Sequence, residues 1–338
     1  PAPKEGTGKR RLVIDYRNLN RAPSSDCHPI PLIDEMIQKQ APNKIFTVID
    51  MKKGFHQLKL HPDDRHLTAM NICGQRWQWT VMPMGIKNGP TIFQKYMDSV
   101  LGDMECASVY RDDIIIGSTG ETEQEILDNH YNDCRNVLNR LREVGLVAEV
   151  SKTAFFAKRV EFCGHILEGG QRRPAPGKLL AVEKYRAPNT LKELRGYLGL
   201  CNYYSQYVPN YADIAAPLME LLKGQPKKAE MRSTKVKLKW DHTHELSFKQ
   251  LKSALVTTVP LNLLDPNRTV FLSPDASNHA IGCGLQQKDC TCADDEVCEH
   301  TLHPVAVMSR RLTGSQLNWH PREKECYAIM AALLKWSH

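Results

Sequence analysis

The apolar positions of this chain fall into two textures. Up to about Gly164, short runs of β-branched and aromatic residues alternate with helical stretches; beyond it, apolar residues recur at helical spacing between prolines. Ile45-Phe46-Thr47-Val48-Ile49 predicts a buried strand that delivers Asp50 at its end. Ser108-Val109 and Ile114-Ile115-Ile116-Gly117 predict a β-hairpin tipped by Tyr110-Arg111-Asp112-Asp113. Residues 10–17 read as a basic strand, and residues 32–39 as a short helix. Residues 82–90 form a breaker-rich loop in which Pro90 is placed to open a helix. There Ile92, Phe93, Tyr96, Met97, Val100 and Leu101 make the core stripe, leaving Gln94 and Lys95 as contact candidates on the other face. A second helix over 121–144 carries a stripe of Ile126, Cys134, Val137, Leu138 and Leu141. Beyond Gly164 the pattern is all-helical, with helices expected over 176–185, 190–207 and 212–223 and a capping box at Thr190 and Glu193. Residues 225–239 read as a linker, and 246–255 as a further amphipathic helix.

Two adjacent carboxylates inside an apolar run need a compensating charge, because a solvated turn would carry polar rather than Ile-rich flanks. A divalent metal is the economical partner. Asp50, Asp112 and Asp113, brought from two strand ends, suit a pair of Mg²⁺ ions about 3.5 to 4 Å apart, the arrangement used for in-line phosphoryl transfer. The pattern therefore points to a nucleotidyl-transferring polymerase.

Composition changes this picture little. The 338 residues are 41% hydrophobic and 25% charged, ordinary for a soluble globular protein of two or more domains. A net charge of +7 leans towards a polyanionic partner, but many proteins reach it without touching nucleic acid. No apolar run approaches the ~18 residues of a membrane span, and the first residues lack a signal-peptide core, so an intracellular protein is expected. The eleven cysteines sit mostly singly in apolar or helical segments, which favours reduced thiols over a disulfide framework. Cys290, Cys292, Cys298, His300 and His303 have an unusual spacing for a zinc knuckle and compete with a flexible-loop reading.

Several ordered stretches resemble the reverse transcriptase of gypsy-type LTR retrotransposons. They are Leu12-Val13-Ile14-Asp15-Tyr16-Arg17-Asn18-Leu19-Asn20, Phe46-Thr47-Val48-Ile49-Asp50-Met51-Lys52-Lys53-Gly54-Phe55-His56-Gln57, Met82-Pro83-Met84-Gly85-Ile86-Lys87-Asn88-Gly89-Pro90-Thr91-Ile92-Phe93-Gln94, Tyr110-Arg111-Asp112-Asp113 and Phe162-Cys163-Gly164-His165. Phe271-Leu272-Ser273-Pro274-Asp275-Ala276-Ser277 further resembles the opening strand of a retroelement RNase H domain, so the similarity covers nearly the whole chain.

The resemblance implies an α/β (α+β) right-hand polymerase: fingers and palm over 1–170, a helical thumb over 171–224, a linker over 225–266 and an incomplete RNase H-like domain over 267–338. It implies an RNA-directed DNA polymerase that uses two Mg²⁺ ions, or Mn²⁺, and acts on an RNA template, a DNA primer or RNA/DNA hybrid, and dNTPs. Asp50, Asp112 and Asp113 match the metal-binding aspartates, with the Met51 carbonyl as a further ligand and Lys152 as the proton donor to pyrophosphate. Lys4, Arg11, Phe55, Gln94 and Arg111 fall to nucleotide binding, with Phe55 as the gate against a ribose 2′-hydroxyl. Phe162, Cys163 and Gly164 match the primer grip. Asp275 and Glu325 match two RNase H acids, and the rest of that site is expected beyond His338, so the sequence as it stands should not cleave RNA.

The resemblance also implies a cytoplasmic, particle-associated protein with nuclear entry. A dimer is compatible with the sequence, which does not fix the oligomeric state. Arg111 departs from the family, which has a small or apolar residue there; a cation at that point either holds a phosphate or competes with Mg²⁺. Met84 and Cys163 are milder departures. Three other readings compete. Phe55 and the RNase H-like segment argue against an RNA-directed RNA polymerase, the three retained acids against an inactive binding module, and the two C-terminal acids are too few for a free-standing nuclease.

Overall fold

The computed structural model describes residues 2–3, 10–11, 13–22, 28–223, 238–288 and 302–337. The chain divides into two compact units, Pro1–Cys163 and Gly164–His338. The first unit opens with the paired short strands β1 (Ala2–Pro3) and β2 (Arg10–Arg11). The expected basic strand goes no further, because Asp15 turns back locally: its Oδ1 accepts the Arg17 amide at 3.0 Å and its carboxylate holds the Arg17 guanidinium. Such side-chain to backbone bonds compete with a sheet ladder.

Helix α1 (Ile33–Lys39) leads into β3 (Ile45–Asp50), and the small hairpin β4 (Met70–Ile72) and β5 (Gln75–Trp77) precedes helix α2 (Gly89–Leu101). Next come β6 (Ala107–Tyr110), β7 (Asp113–Ser118), helix α3 (Glu123–Glu143), β8 (Ala154–Ala157) and β9 (Arg159–Phe162). The central sheet has the order β6-β7-β3-β8, with β3 and β7 antiparallel. Ile114, Ile115 and Ile116 are all fully buried, which requires cover on both faces of the sheet. Ile114 and Ile116 join Ile49, Phe93, Met97, Val137 and Leu141 in one core cluster. Each contributes roughly 2 kcal/mol by leaving water.

Two helical stripes are rotated from their expected positions. On α3 the buried residues are His130, Cys134, Val137 and Leu141, while Leu138 is exposed. His130 can be buried because Thr47 Oγ1 and Ser118 Oγ bond its two ring nitrogens at 2.8 and 2.9 Å. On α2, Ile92 is exposed and Gln94 is fully buried.

The second unit begins with a hairpin rather than a helix. β10 (His165–Glu168) pairs with β11 (Gln171–Pro174) across Gly169 and Gly170, whose φ values of 58° and 72° are those a tight two-residue turn demands. Helices α4 (Pro176–Glu183), α5 (Leu191–Tyr203), α6 (Tyr211–Glu220) and α7 (His242–Val256) follow. The capping box expected at Thr190 and Glu193 is present. These helices enclose a core that includes Leu194, Tyr197, Cys201, Leu218, Phe248 and Leu251. The short β12 (Leu261–Asn262) pairs with β11. The unit ends with the antiparallel sheet β13 (Val270–Ala276), β14 (Ala280–Lys288) and β15 (Leu302–Arg311), then helix α8 (Pro321–Lys335), which packs Ala328, Ala331 and Ala332 on Ile281, Cys283 and Met308. No helix among the described residues is long and apolar enough to cross a membrane.

Candidate active site

β3 and β7 pair in a register that sets Asp50 directly opposite Asp113, and β6 and β7 pair Tyr110 with Asp113. Arg111 and Asp112 are therefore a two-residue hairpin turn, and Arg111 takes the left-handed conformation such turns require, with φ 55°. Arg111 thus sits at the tip of the expected hairpin, and at that corner a β-branched residue would be strained. The Asp112 carbonyl accepts the Met51 amide at 3.0 Å, so the turn is tied to the strand that ends in Asp50.

Gln94 does not reach a nucleotide, contrary to its sequence assignment, because it is fully buried and saturated. Its Oε1 accepts the Arg111 amide at 2.8 Å, and its Nε2 donates to the Val109 carbonyl at 2.9 Å and to Asp98 Oδ1 at 2.8 Å. Asp98 Oδ2 in turn lies 2.7 Å from His28 Nε2. This string supports the hairpin tip from within. Neutral glutamine on an amphipathic helix gives no sign of burial in sequence, which is why the role was missed.

Two further residues escaped the sequence reading. A Cβ on Gly54 would stand 2.7 Å from Asp112 Oδ1 and 3.1 Å from Phe93 Cζ, so only glycine lets the carboxylate lie there. Gln57 donates to the Lys52 and Val147 carbonyls at 2.8 and 2.9 Å and accepts the Val147 amide at 2.7 Å. It joins the loop carrying Phe55 to the segment that leads to Lys152. Phe55 is half-buried, edge-on to Phe93 with ring centroids 5.5 Å apart. Lys152 Nζ lies 2.5 Å from Asp50 Oδ2.

The cluster is short of positive charge. Burial pushes the Asp113 carboxyl up from its ordinary 3.8 to about 6, and the charges of Asp50 and Asp112 add to this while Lys152 opposes it. Cys163 sits close enough to feel the same field: burial first, then Asp113, pushes its thiol up to about 12, against the pull of Arg111. Arg111 itself is exposed and lays its guanidinium over the Tyr110 ring, 5.2 Å from the centroid. Among the described residues no three acid, His or Cys side chains stand grouped as a ready-made cation cage.

Because the Asp113 value is higher folded than unfolded, the stability its proton confers is complete below about pH 4 and is lost as pH rises through about 6. In the presence of chelator, the melting temperature should therefore fall by a few degrees between pH 4 and 6.5. Asp113→Asn should flatten that part of a calorimetric pH series, and an unchanged slope would locate the proton elsewhere.

Phe162 is buried at the end of the first unit, and Gly164, with φ 78°, is the first residue of the second. Lys4, Cys290, Cys292, Cys298, His300 and the side chain of Arg11 lie outside the described residues, while His303 belongs to β15. Asp275 shares a sheet face with its register partner Gly282 and with Ser309 beyond it, and lines a cavity with Ser273, Asn210 and Tyr207. Helix α8, which carries Glu325, packs on the face of Leu272, Ala276 and Ile281. Side chains alternate along strands, so Asp275 lies on the face of β13 opposite Leu272 and Ala276.

Residues 2–167 match the family described as reverse transcriptase (RNA-dependent DNA polymerase), and residues 240–338 match the RNase H-like domain found in reverse transcriptase. Over 335 residues, 98% of the chain, the sequence is 34% identical to the retrovirus-related Pol polyprotein from transposon 297 of Drosophila melanogaster. Over 338 residues it is 32% identical to the transposon Tf2-3 polyprotein of Schizosaccharomyces pombe, covering 99% of the chain. The chain spans 29% and 23% of the lengths of these two relatives. Among solved structures, the foamy viral protease-reverse transcriptase dRH in complex with ds DNA shares the fold with a TM-score of 0.82 at 25% identity, covering 99% of this chain and 55% of that one. The same viral protein in complex with RNA/DNA hybrid gives a TM-score of 0.75 at 25% identity, covering 96% of this chain and 41% of that one. With its carboxylate hairpin, its two family matches and relatives aligned along nearly its whole length, this chain belongs to the reverse transcriptases of gypsy-type LTR retrotransposon polyproteins and carries an RNase H-like domain.

Proposed function

We propose that the chain is an RNA-directed DNA polymerase that adds dNTPs to a primer 3′-hydroxyl and copies retroelement RNA into DNA. The observation that carries this reading is the rung pairing Asp50 with Asp113, with Asp112 on the adjoining turn. The donor chemistry suits a hard divalent cation, since burial and the charges of Asp50 and Asp112 already disfavour a bare Asp113 carboxylate. Asp50, Asp112, Asp113 and the Met51 carbonyl would hold Mg²⁺ or Mn²⁺ as a pair, whose bound chemistry is to acidify the primer hydroxyl and neutralise the triphosphate. Lys152, whose Nζ pairs with Asp50, would hand its proton to departing pyrophosphate. Lys4 and Arg11 grip the triphosphate, while Phe162, Cys163 and Gly164 hold the primer.

In this reading residues 1–170 are fingers and palm, 171–224 the thumb, 225–266 a linker and 267–338 the RNase H-like part. Double-stranded DNA and RNA/DNA hybrid, the partners in the foamy viral complexes, are the expected ligands. Primer extension on RNA and DNA templates, with dNTPs and rNTPs in parallel, tests the proposal. Extension with dNTPs on RNA supports it, and binding without extension of any primer would leave a nucleic-acid-binding protein of polymerase fold.

Sugar choice offers a sharper check. Phe55 packs only one edge on Phe93 and keeps part of its ring outside the core. Phe55→Val should raise rNTP incorporation at least about tenfold, with a smaller loss for dNTPs, since opening space for one hydroxyl is worth roughly 1–3 kcal/mol. Unchanged discrimination in single-nucleotide incorporation would return Phe55 to a packing role.

A further inference from the structure

The first two residues of the second unit are held by tyrosines whose rings belong to its core and whose hydroxyls bond outside it. Gly164 has φ 78°, and its carbonyl accepts two donors, the Tyr204 hydroxyl at 3.0 Å and the Ala175 amide at 2.9 Å. A Cβ at Gly164 would meet the Tyr204 hydroxyl oxygen at 2.9 Å, so the phenol occupies the space a side chain would need. Glycine is thus demanded twice, by its conformation and by its neighbour. Tyr204 is 1% exposed, and a buried phenol must find a partner; here that partner is a backbone carbonyl 40 residues away.

The next residue is gripped by the same set. His165, itself 1% exposed, bonds the Tyr207 hydroxyl through Nδ1 at 2.8 Å, and its ring lies 5.6 Å from that of Tyr204. Tyr203 closes on Tyr204 edge-to-face at 4.8 Å. Local structure explains the convergence: α5 ends at Tyr203 and passes into a single 3₁₀ turn, Ser205–Tyr207, which brings Tyr204 and Tyr207 round to one side. The hydroxyl of Tyr204 is not needed for packing, since its ring contacts would be equally served by phenylalanine.

We propose that Tyr204 is a positioning residue for primer use: through its hydroxyl it fixes the Gly164 peptide, so that the turn around Cys163 and Gly164 meets the primer backbone in one conformation. The His165–Tyr207 bond holds the following residue and limits rotation of that peptide. This assignment rests on the polymerase reading of the first unit.

Tyr204→Phe keeps the ring and removes the hydroxyl that bonds Gly164. In steady-state extension it should lower kcat/KM for primer-template roughly ten- to hundredfold, the cost of a misplacement of about 1 Å, and leave the KM for dNTP unchanged. Melting temperature should stay close to wild type. Fluorescence of 2-aminopurine at the primer terminus, read in the complex without dNTP, should report altered stacking in the variant. Gly164→Ala should be worse alone than in the Tyr204→Phe background, because removing the hydroxyl relieves the contact; that coupling marks a direct interaction. Wild-type rates and terminus fluorescence in Tyr204→Phe would overturn the proposal, as would a loss of extension no larger than the loss of folded protein. Absence of extension by the wild-type chain would instead sink the polymerase reading, and the fluorescence comparison would still judge Tyr204.

Discussion

Asp50→Asn and Asp113→Asn should each reduce nucleotide addition by about 10³-fold or more, leaving primer-template affinity within a factor of a few. The two effects separate because they draw on different parts of the protein. Duplex affinity comes mainly from cations against phosphates, whereas the rung pairing Asp50 with Asp113 contributes negative charge to a cleft already short of positive charge. Asparagine keeps the shape and the ladder at either position, so folding should survive. Asp50→Asn also releases the Lys152 ammonium from its nearest carboxylate, which removes the proposed acid from its station. Rapid-quench extension beside fluorescence-anisotropy binding measures both quantities. Residual addition above a few per cent in either variant would take that carboxylate out of the reaction.

The second large effect is expected at a residue with no functional atoms. In Gly54→Ala the added methyl would stand 2.7 Å from Asp112 Oδ1 and 3.1 Å from Phe93 Cζ, so the carboxylate must move. Gly54 is not among the residues of positive φ, and the substitution therefore acts through space rather than backbone strain. A shift of about 1 Å in a reacting group costs on the order of 10²-fold, so kcat should fall by about that factor while the thermal midpoint changes little. Gly54→Val, with a bulkier side chain, should abolish extension. A Gly54→Ala enzyme of normal kcat would show that Asp112 can take a second productive position.

How much of this was legible beforehand follows from the physics of each feature. The Ile-rich runs and the turn between them announced the hairpin and the Asp50 strand, because a short continuous apolar run and a short polar interruption are local signals. The contacts that hold the tip were not local. Gln94 reads as a surface residue on an amphipathic helix, and only the folded chain reveals that the Arg111 amide needs an acceptor at that depth. Gly54 carried no signal beyond the motif around it, since its constraint comes from a carboxylate 58 positions further along the sequence. The β10–β11 hairpin was missed because its four-residue strands are too short, and Arg172 and Arg173 too polar, to stand out from the helical texture that follows. That the tip lies at Arg111 and Asp112 was legible, but the left-handed conformation of Arg111 was not, since no glycine or asparagine marks it.

The placement of Asp50 and Asp113 on the last rung of an antiparallel ladder has a consequence for how such an element decays. Side chains along a strand alternate between faces, so loss of one codon within 114–118 would carry Asp113 to the opposite side of the sheet if the hydrophobic pairing were kept. A copy of the element can thus drift widely in its exposed residues and keep this rung, yet a single in-frame deletion of three bases in this strand would break it.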